Sequence, residues 1–176
     1  MDAHTAAVGL PDRGPGPLFG STWIKRILVA ADGSPASVQG LQQVANLAAG
    51  IGAKVDVVYV RHFPGSALVA AGVGDPLLVE ALEEQESDVR QDVLRTMGGA
   101  GVAWEFVVRV GSPGEEIVKF ANESGSDLVV VGSNRHSSLH NLLLGSTAAY
   151  LATHSRAPVL VMRSRVAAPA VQEAIR

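Results

Sequence analysis

The chain has 176 residues, nearly half of them apolar, a formal net charge of −3 and no cysteine. That length suits one domain with a sizeable core, and the faintly acidic balance, with Lys and Arg scattered rather than clustered, gives no sign of a nucleic-acid surface. The lack of cysteine excludes disulfides, thiolate metal sites and a cysteine nucleophile, and it fits a cytoplasmic location.

In chain order, residues 1–22 are rich in Gly and Pro and lack the basic start and apolar block of a secretory signal. They read as a flexible tail. No apolar stretch anywhere reaches the length needed to span a bilayer, so no membrane partner is expected. Ile24 to Ala31 reads as a buried strand stopped by Asp32-Gly33-Ser34-Pro35, in which Ser34 caps the next helix and Pro35 suits its first turn. That helix carries Val38, Leu41, Val44, Ala45, Leu47 and Ala48 at helical spacing and ends near Gly50 and Gly52.

Lys54 to Val60 is a second strand, and Arg61 to Gly74 a long loop. Asp75-Pro76 opens a long helix with Leu78, Ala81, Leu82, Val89, Val93 and Met97 along its apolar side and the run Glu83 to Asp88 on its wet side. Trp104 to Val110 is a third strand. Ser112 and Glu115, three apart around Pro113, spell a capping box for a helix whose apolar side is Ile117, Val118, Phe120 and Ala121. A fourth strand (Leu128 to Val131), a helix from Thr147 and a last strand (Pro158 to Met162) complete the pattern.

Strands alternating with helices, with mostly apolar strands, predict an α/β fold: a five-stranded doubly wound parallel sheet. Residues 23–164 form the predicted domain and 165–176 a C-terminal extension. In such sheets ligands sit beyond the carboxyl ends of the strands, where the strand order reverses. The Asp32 turn, the end of the second strand at Val60 and the Gly132 loop all fall at those ends.

The stretch from Asp127 to Thr147 is the most informative. An apolar strand breaks at Gly132, crosses a polar loop and meets Gly145, after which Ser146 and Thr147 open a helix. Glycine permits close backbone approach, and the unpaired amides and dipole of a helix start favour an anion. This run resembles the nucleotide loop of the universal stress protein family, G-x2-G-x9-G-[ST], with Gly132, Gly145 and Ser146 in register and Arg135 where the pattern has its middle glycine. The Asp-Gly-Ser turn after the first strand and the segment GSPGEEIVKFA extend the resemblance over about Lys25 to Arg163.

The resemblance implies a Rossmann-like fold and binding of an adenine nucleotide, ATP with Mg2+ or another divalent ion held through the phosphates. It implies that Asp32 contacts the nucleoside, Ala31 lines the base pocket and backbone atoms of Val60 meet adenine. Gly132, Gly145, Ser146 and Thr147 would cradle phosphate. By its residue type alone, Asp32 also reads as a turn aspartate or helix cap. Arg135 either fills the phosphate space or donates its planar fork to it. The resemblance further implies a homodimer through the last strand, Pro158 to Arg163, an apolar edge open to pairing with a second copy.

Catalytic signatures are missing. There is no G-x-x-x-x-G-K-[ST] loop and no G-x-S-x-G elbow, so hydrolysis would be slow or incidental. His136 and His140, four apart, fall in a loop with no third ligand nearby, so no metal site is expected. His62 and His154 read as solvated or packed. The resulting expectation is a cytoplasmic, homodimeric, nucleotide-binding stress-response regulator. Its rival is a dimeric interaction module of the same fold that binds no nucleotide.

Overall fold

The computed structural model describes residues 23–62, 76–133 and 145–163. Its elements in chain order are β1 (Arg26–Ala30), α1 (Pro35–Ile51), β2 (Lys54–Arg61), α2 (Pro76–Met97), β3 (Trp104–Val110), α3 (Pro113–Ser124), β4 (Leu128–Ser133), α4 (Ser146–His154) and β5 (Val159–Arg163). All strand pairings are parallel, in the order β3-β2-β1-β4-β5. The chain winds outward from β1 to β3, then returns to place β4 on the other side of β1. The order therefore reverses between β1 and β4, as a doubly wound sheet requires.

Alternation along the central strands divides the core into two layers. Ile27, Val29, Val55, Val57, Tyr59 and Val130 pack with Leu41, Val44 and Ala48 of α1 and with Val89, Val93 and Met97 of α2. Leu28, Val58, Val129 and Val131 turn the other way, onto Ile117 and Ala121 of α3 and Ala148 and Leu151 of α4. Strands apolar on both sides are what helices covering both faces demand. The buried carboxylate Asp56, on β2, is held by Arg26 of β1 and by Lys54 Nζ at 3.4 Å. Asp127 ties the start of β4 to that of β1, accepting from the Lys25 and Arg26 amides at 2.8 and 3.0 Å.

The helix ends follow their punctuation. Ser34 caps α1, accepting from the Ser37 amide at 3.2 Å, and Gly52 closes it in the left-handed conformation at φ 72°. Three expectations are corrected. Ser112 stands at the N-cap of α3 but its side chain makes no capping bond. Glu115 and Glu116 place negative charge in the first turn in place of that bond. Ala81 is exposed and Leu78 only half-buried, because α2 meets the core through Leu82, Val89, Val93 and Met97. Glu86 leaves the wet side to pair with Arg61 and Arg90. The tail, most of the loop after Arg61 and the C-terminal extension lie outside the described residues.

Candidate functional site

At the carboxyl ends of the strands, over the reversal between β1 and β4, lies a cavity of about 310 Å³. Its floor is apolar: Ala30 and Ala31 at the exit of β1, Val58 and Val60 on β2, Val131 on β4 and Ile117 on α3. Its polar groups come from two places. Asp32 and Ser37 stand at the β1–α1 turn, and Ser146 and Thr147 at the start of α4. Among the described residues, Asp32 is the one charged side chain in the lining.

Three helices point their amino ends at this space: α1 through Ser37, α3 through Pro113, and α4 through Ser146 to Ala148. Each contributes the positive end of its dipole. The first turn of α1 is occupied by its own chain, because Ser34 Oγ takes the Ser37 amide. Among the described residues, the first turn of α4 has no such guard. Its N-cap is Gly145, which carries no side chain, and the early amides of a helix have no acceptor within it. The arrangement is that of an anion-binding helix start.

The two glycines bracketing the loop do different jobs. A Cβ placed on Gly132 would meet the Ala36 carbonyl carbon and the Ser37 amide nitrogen at 3.2 Å, so the exit of β4 needs glycine to lie against the first turn of α1. At Gly145, φ is −56°, which any residue adopts, and an added Cβ would have no described atom within 4 Å. Among the described residues, packing does not ask for glycine there, and the missing side chain borders the cavity.

Asp32 serves the turn and the cavity together. Its Oδ1 accepts from the Ser34 amide at 2.9 Å, closing the turn into α1, while the exposed residue lines the cavity. The next residue, Gly33, is held at φ 77° with Val89 close by, so the turn depends on glycine as well.

The wall at Val60 is braced from behind. Arg61, the next residue along β2, pairs with Glu86 of α2, which also holds Arg90 at 3.3 Å. Burial pushes the Glu86 carboxyl up, but the hydrogen bonds from Arg61 and Arg90 outweigh it and hold the group below its ordinary value.

Of the residues expected at the site, Ala31, Asp32, Val60, Gly132, Gly145, Ser146 and Thr147 all line this one cavity. Arg135, with His136 and His140, lies outside the described residues. His62 is exposed, with Nδ1 3.1 Å from the Gly111 carbonyl, and His154 stacks on Tyr150 with ring centroids 3.9 Å apart; neither lines the cavity. Sequence reasoning missed Ser37 and the apolar floor at Ala30, Val58, Ile117 and Val131. Of these, Val58 could have been found by stepping back two residues from Val60, the period that returns to one face. No group of three or more His, Cys, Asp or Glu suited to a metal ion stands among the described residues, and no described helix is long and apolar enough to cross a membrane.

Comparison with known proteins agrees with this architecture. The model of the universal stress protein family matches residues 24–163. A universal stress protein of Methanocaldococcus jannaschii is 31% identical over 145 residues, covering 82% of this chain and 85% of its own length. Among solved structures, the universal stress protein UspA from Lactobacillus plantarum superposes with a TM-score of 0.64 at 26% identity, over 80% of this chain and 98% of the other. A universal stress protein crystallised in complex with cAMP gives 0.53 at 27% identity, over 80% and 97%. The match spans every described strand and helix, and the chain belongs to the universal stress protein family.

Proposed function

We propose that the cavity binds an adenine nucleotide, ATP with a divalent ion, and that the protein acts as a homodimeric stress-response regulator rather than a catalyst. The observation that carries this reading is the start of α4: at the strand-order reversal, with no side-chain cap from its glycine N-cap and, among the described residues, no packing that requires that glycine. The cavity volume falls at the small end of the range for small-molecule sites. A relative at 27% identity with cAMP bound supports an adenine nucleotide over other anions.

In this reading the base lies on Val58 and Val60, and the phosphates meet the amides and hydroxyls of Ser146 and Thr147. The divalent ion is carried by the phosphates and water, since Asp32 is the one carboxylate lining the cavity among the described residues. Neither lysine nor histidine lines the cavity among those residues, which suits holding a nucleotide rather than cleaving it. The homodimer forms along β5, whose apolar run includes the exposed Leu160 and which, among the described strands, pairs with β4 alone.

The test is thermal unfolding with and without ATP and Mg2+. A ligand at a hundred times its Kd raises stability by about 2.7 kcal/mol, so a clear upward shift is expected. A second reading, the nucleotide-free interaction module, draws on Arg135 standing where the family loop has glycine. An unchanged melting curve at millimolar ATP would select it. Sedimentation of the wild type and of Leu160→Lys tests the dimer; the variant is expected to sediment as a monomer.

A further inference from the structure

The edge of the sheet opposite β5 is self-complementary. Among the described strands, β3 pairs with β2 alone. It runs for seven residues, Trp104–Val110, with neither proline nor lysine, the common devices that keep a sheet edge from pairing. Whereas β1 and β2 are buried at their centres, β3 is half-buried to exposed throughout, and Val110 is 59% exposed.

Two hydrogen bonds fix which backbone groups face outward. The Val55 amide donates to the Ala103 carbonyl at 2.9 Å, and the Gly111 amide to the Arg61 carbonyl at 3.1 Å. Alternation between these limits turns the odd-numbered residues of β3 toward β2. The N–H and C=O groups of Trp104, Phe106, Val108 and Val110 therefore point away from the sheet. Side chains alternate by face. Trp104, Phe106 and Val108 pack into the α2 layer. Arg109 lies on the α3 side, reaching Glu116 and Glu123 at 3.2 and 2.9 Å, and alternation puts Glu105 and Val107 on that side with it.

Turned end for end about Val107, the strand Trp-Glu-Phe-Val-Val-Arg-Val matches itself. A two-fold axis at Val107 sets Phe106 opposite Val108 and Trp104 opposite Val110, so the outward groups meet as hydrogen-bonded pairs. It sets Glu105 opposite Arg109 of the second copy, in the closer non-hydrogen-bonded pairs, where opposite charges attract and like charges repel. Only this register brings the two charges of the strand together. An arginine has five N–H donors, and Arg109 spends Nε on Glu116 and Nη2 on Glu123, so its fork can take a further carboxylate.

We propose that β3 is a second self-association edge, at which two copies pair antiparallel about Val107 with Glu105 facing Arg109 across the junction. One strand edge buries little surface, so the contact is weak and fills only in concentrated protein. β3 lies outside the cavity lining and at the far edge from β5, so the contact depends on neither.

Disulfide trapping tests the register, since the chain has no cysteine of its own. At the axis the two Val107 Cα atoms would stand about 4.5 Å apart, within reach of a disulfide. The two Glu105 positions would stand about 14 Å apart, beyond it. Full-length Val107→Cys and Glu105→Cys are concentrated under mild oxidant and read on a denaturing gel, where a β5 contact leaves no trace. Val107→Cys is expected to form covalent dimer at least about tenfold faster. Glu105 is the more exposed position, so random collision would favour the opposite order. Equal rates, faster trapping at Glu105, or trapping at neither position overturns the proposal.

A second measurement needs no cysteine. Leu160→Lys, with the β5 edge spoiled, is expected to sediment as a monomer when dilute and to gain mass when concentrated. Adding Glu105→Lys, which sets a lysine against Arg109 of the second copy, is expected to weaken that association about three- to tenfold. A mass that does not change with concentration, or that rises equally in both chains, overturns the proposal.

Discussion

Two helix starts face the same cavity, and they are built in opposite ways. At α1 the chain satisfies itself: Ser34 caps the first turn, Ser37 returns a bond to Ser34, and Gly132 lets β4 press against the backbone of Ala36 and Ser37. At α4 the N-cap is a bare glycine, with no described atom within 4 Å of where a side chain would stand. One start is packed shut by protein; the other has no such partner among the described residues. The lesson is that glycine in a shared motif can serve either the fold or the ligand, and that the space around its Cβ tells which.

The strongest way to break this contrast is Gly145→Val. If α4 receives phosphate, a branched side chain in that space is expected to weaken ATP binding by about a hundredfold or more, about 2.7 kcal/mol. The ligand-free protein should lose no more than about 1 kcal/mol, the scale of a poorer N-cap residue, because the backbone angle there suits any residue. Calorimetric titration and a melt of the same preparation check both halves. Retained affinity would mean that the open helix start is not the phosphate seat.

The mirror experiment is Gly132→Ala. Overfilling a tight contact costs about 1–3 kcal/mol, so the ligand-free protein is expected to unfold at lower denaturant with an unchanged slope. A neutral result would show that β4 can shift away from α1, and the two glycines would then be more alike than their surroundings imply. A step smaller is Ser34→Ala, which removes the cap from α1 at a cost of about 1 kcal/mol. No comparable loss is expected from Ser112→Ala, whose side chain makes no capping bond.

The contrast also explains what could be read in the sequence. Elements were legible because their ends carry strong local chemistry: Asp-Gly-Ser-Pro before α1, Gly52 after it, Pro76 and Pro113 at helix starts. The cavity's outline was legible because a doubly wound sheet sends all its strand exits to one rim, which collects Ala31, Asp32, Val60 and Gly132. Ser37 was not legible. In a helix it reads as one more small residue, and its place on the cavity wall follows from how the first turn of α1 packs against the end of β4. The failed Ser112 cap has the same character: spacing reports that a bond can form, while the neighbours decide whether it does. Leu78 and Ala81 show the limit of periodicity, since a helix longer than the core beneath it repeats its apolar side past the point of burial.

The smallest effect concerns the brace behind Val60, and its sign is fixed by the depressed Glu86 carboxyl. A group whose pKa is lower folded than unfolded stabilises the fold while ionised. That stabilisation is complete above the ordinary carboxylate value of 4.5 and is lost as pH falls through the lowered folded value. Below that window Glu86 is neutral and Arg61 loses its charged partner at the end of β2. Wild type and Glu86→Gln, compared by denaturant titration, should differ at neutral pH by no more than about 1 kcal/mol. The difference should shrink as acid protonates the wild-type carboxyl. A difference that stays constant across that range would mean that Glu86 acts by packing rather than by charge. The cavity would then owe the position of its β2 wall to the strand pairing with β3, where Val60 stands opposite Arg109, and not to the ion pair.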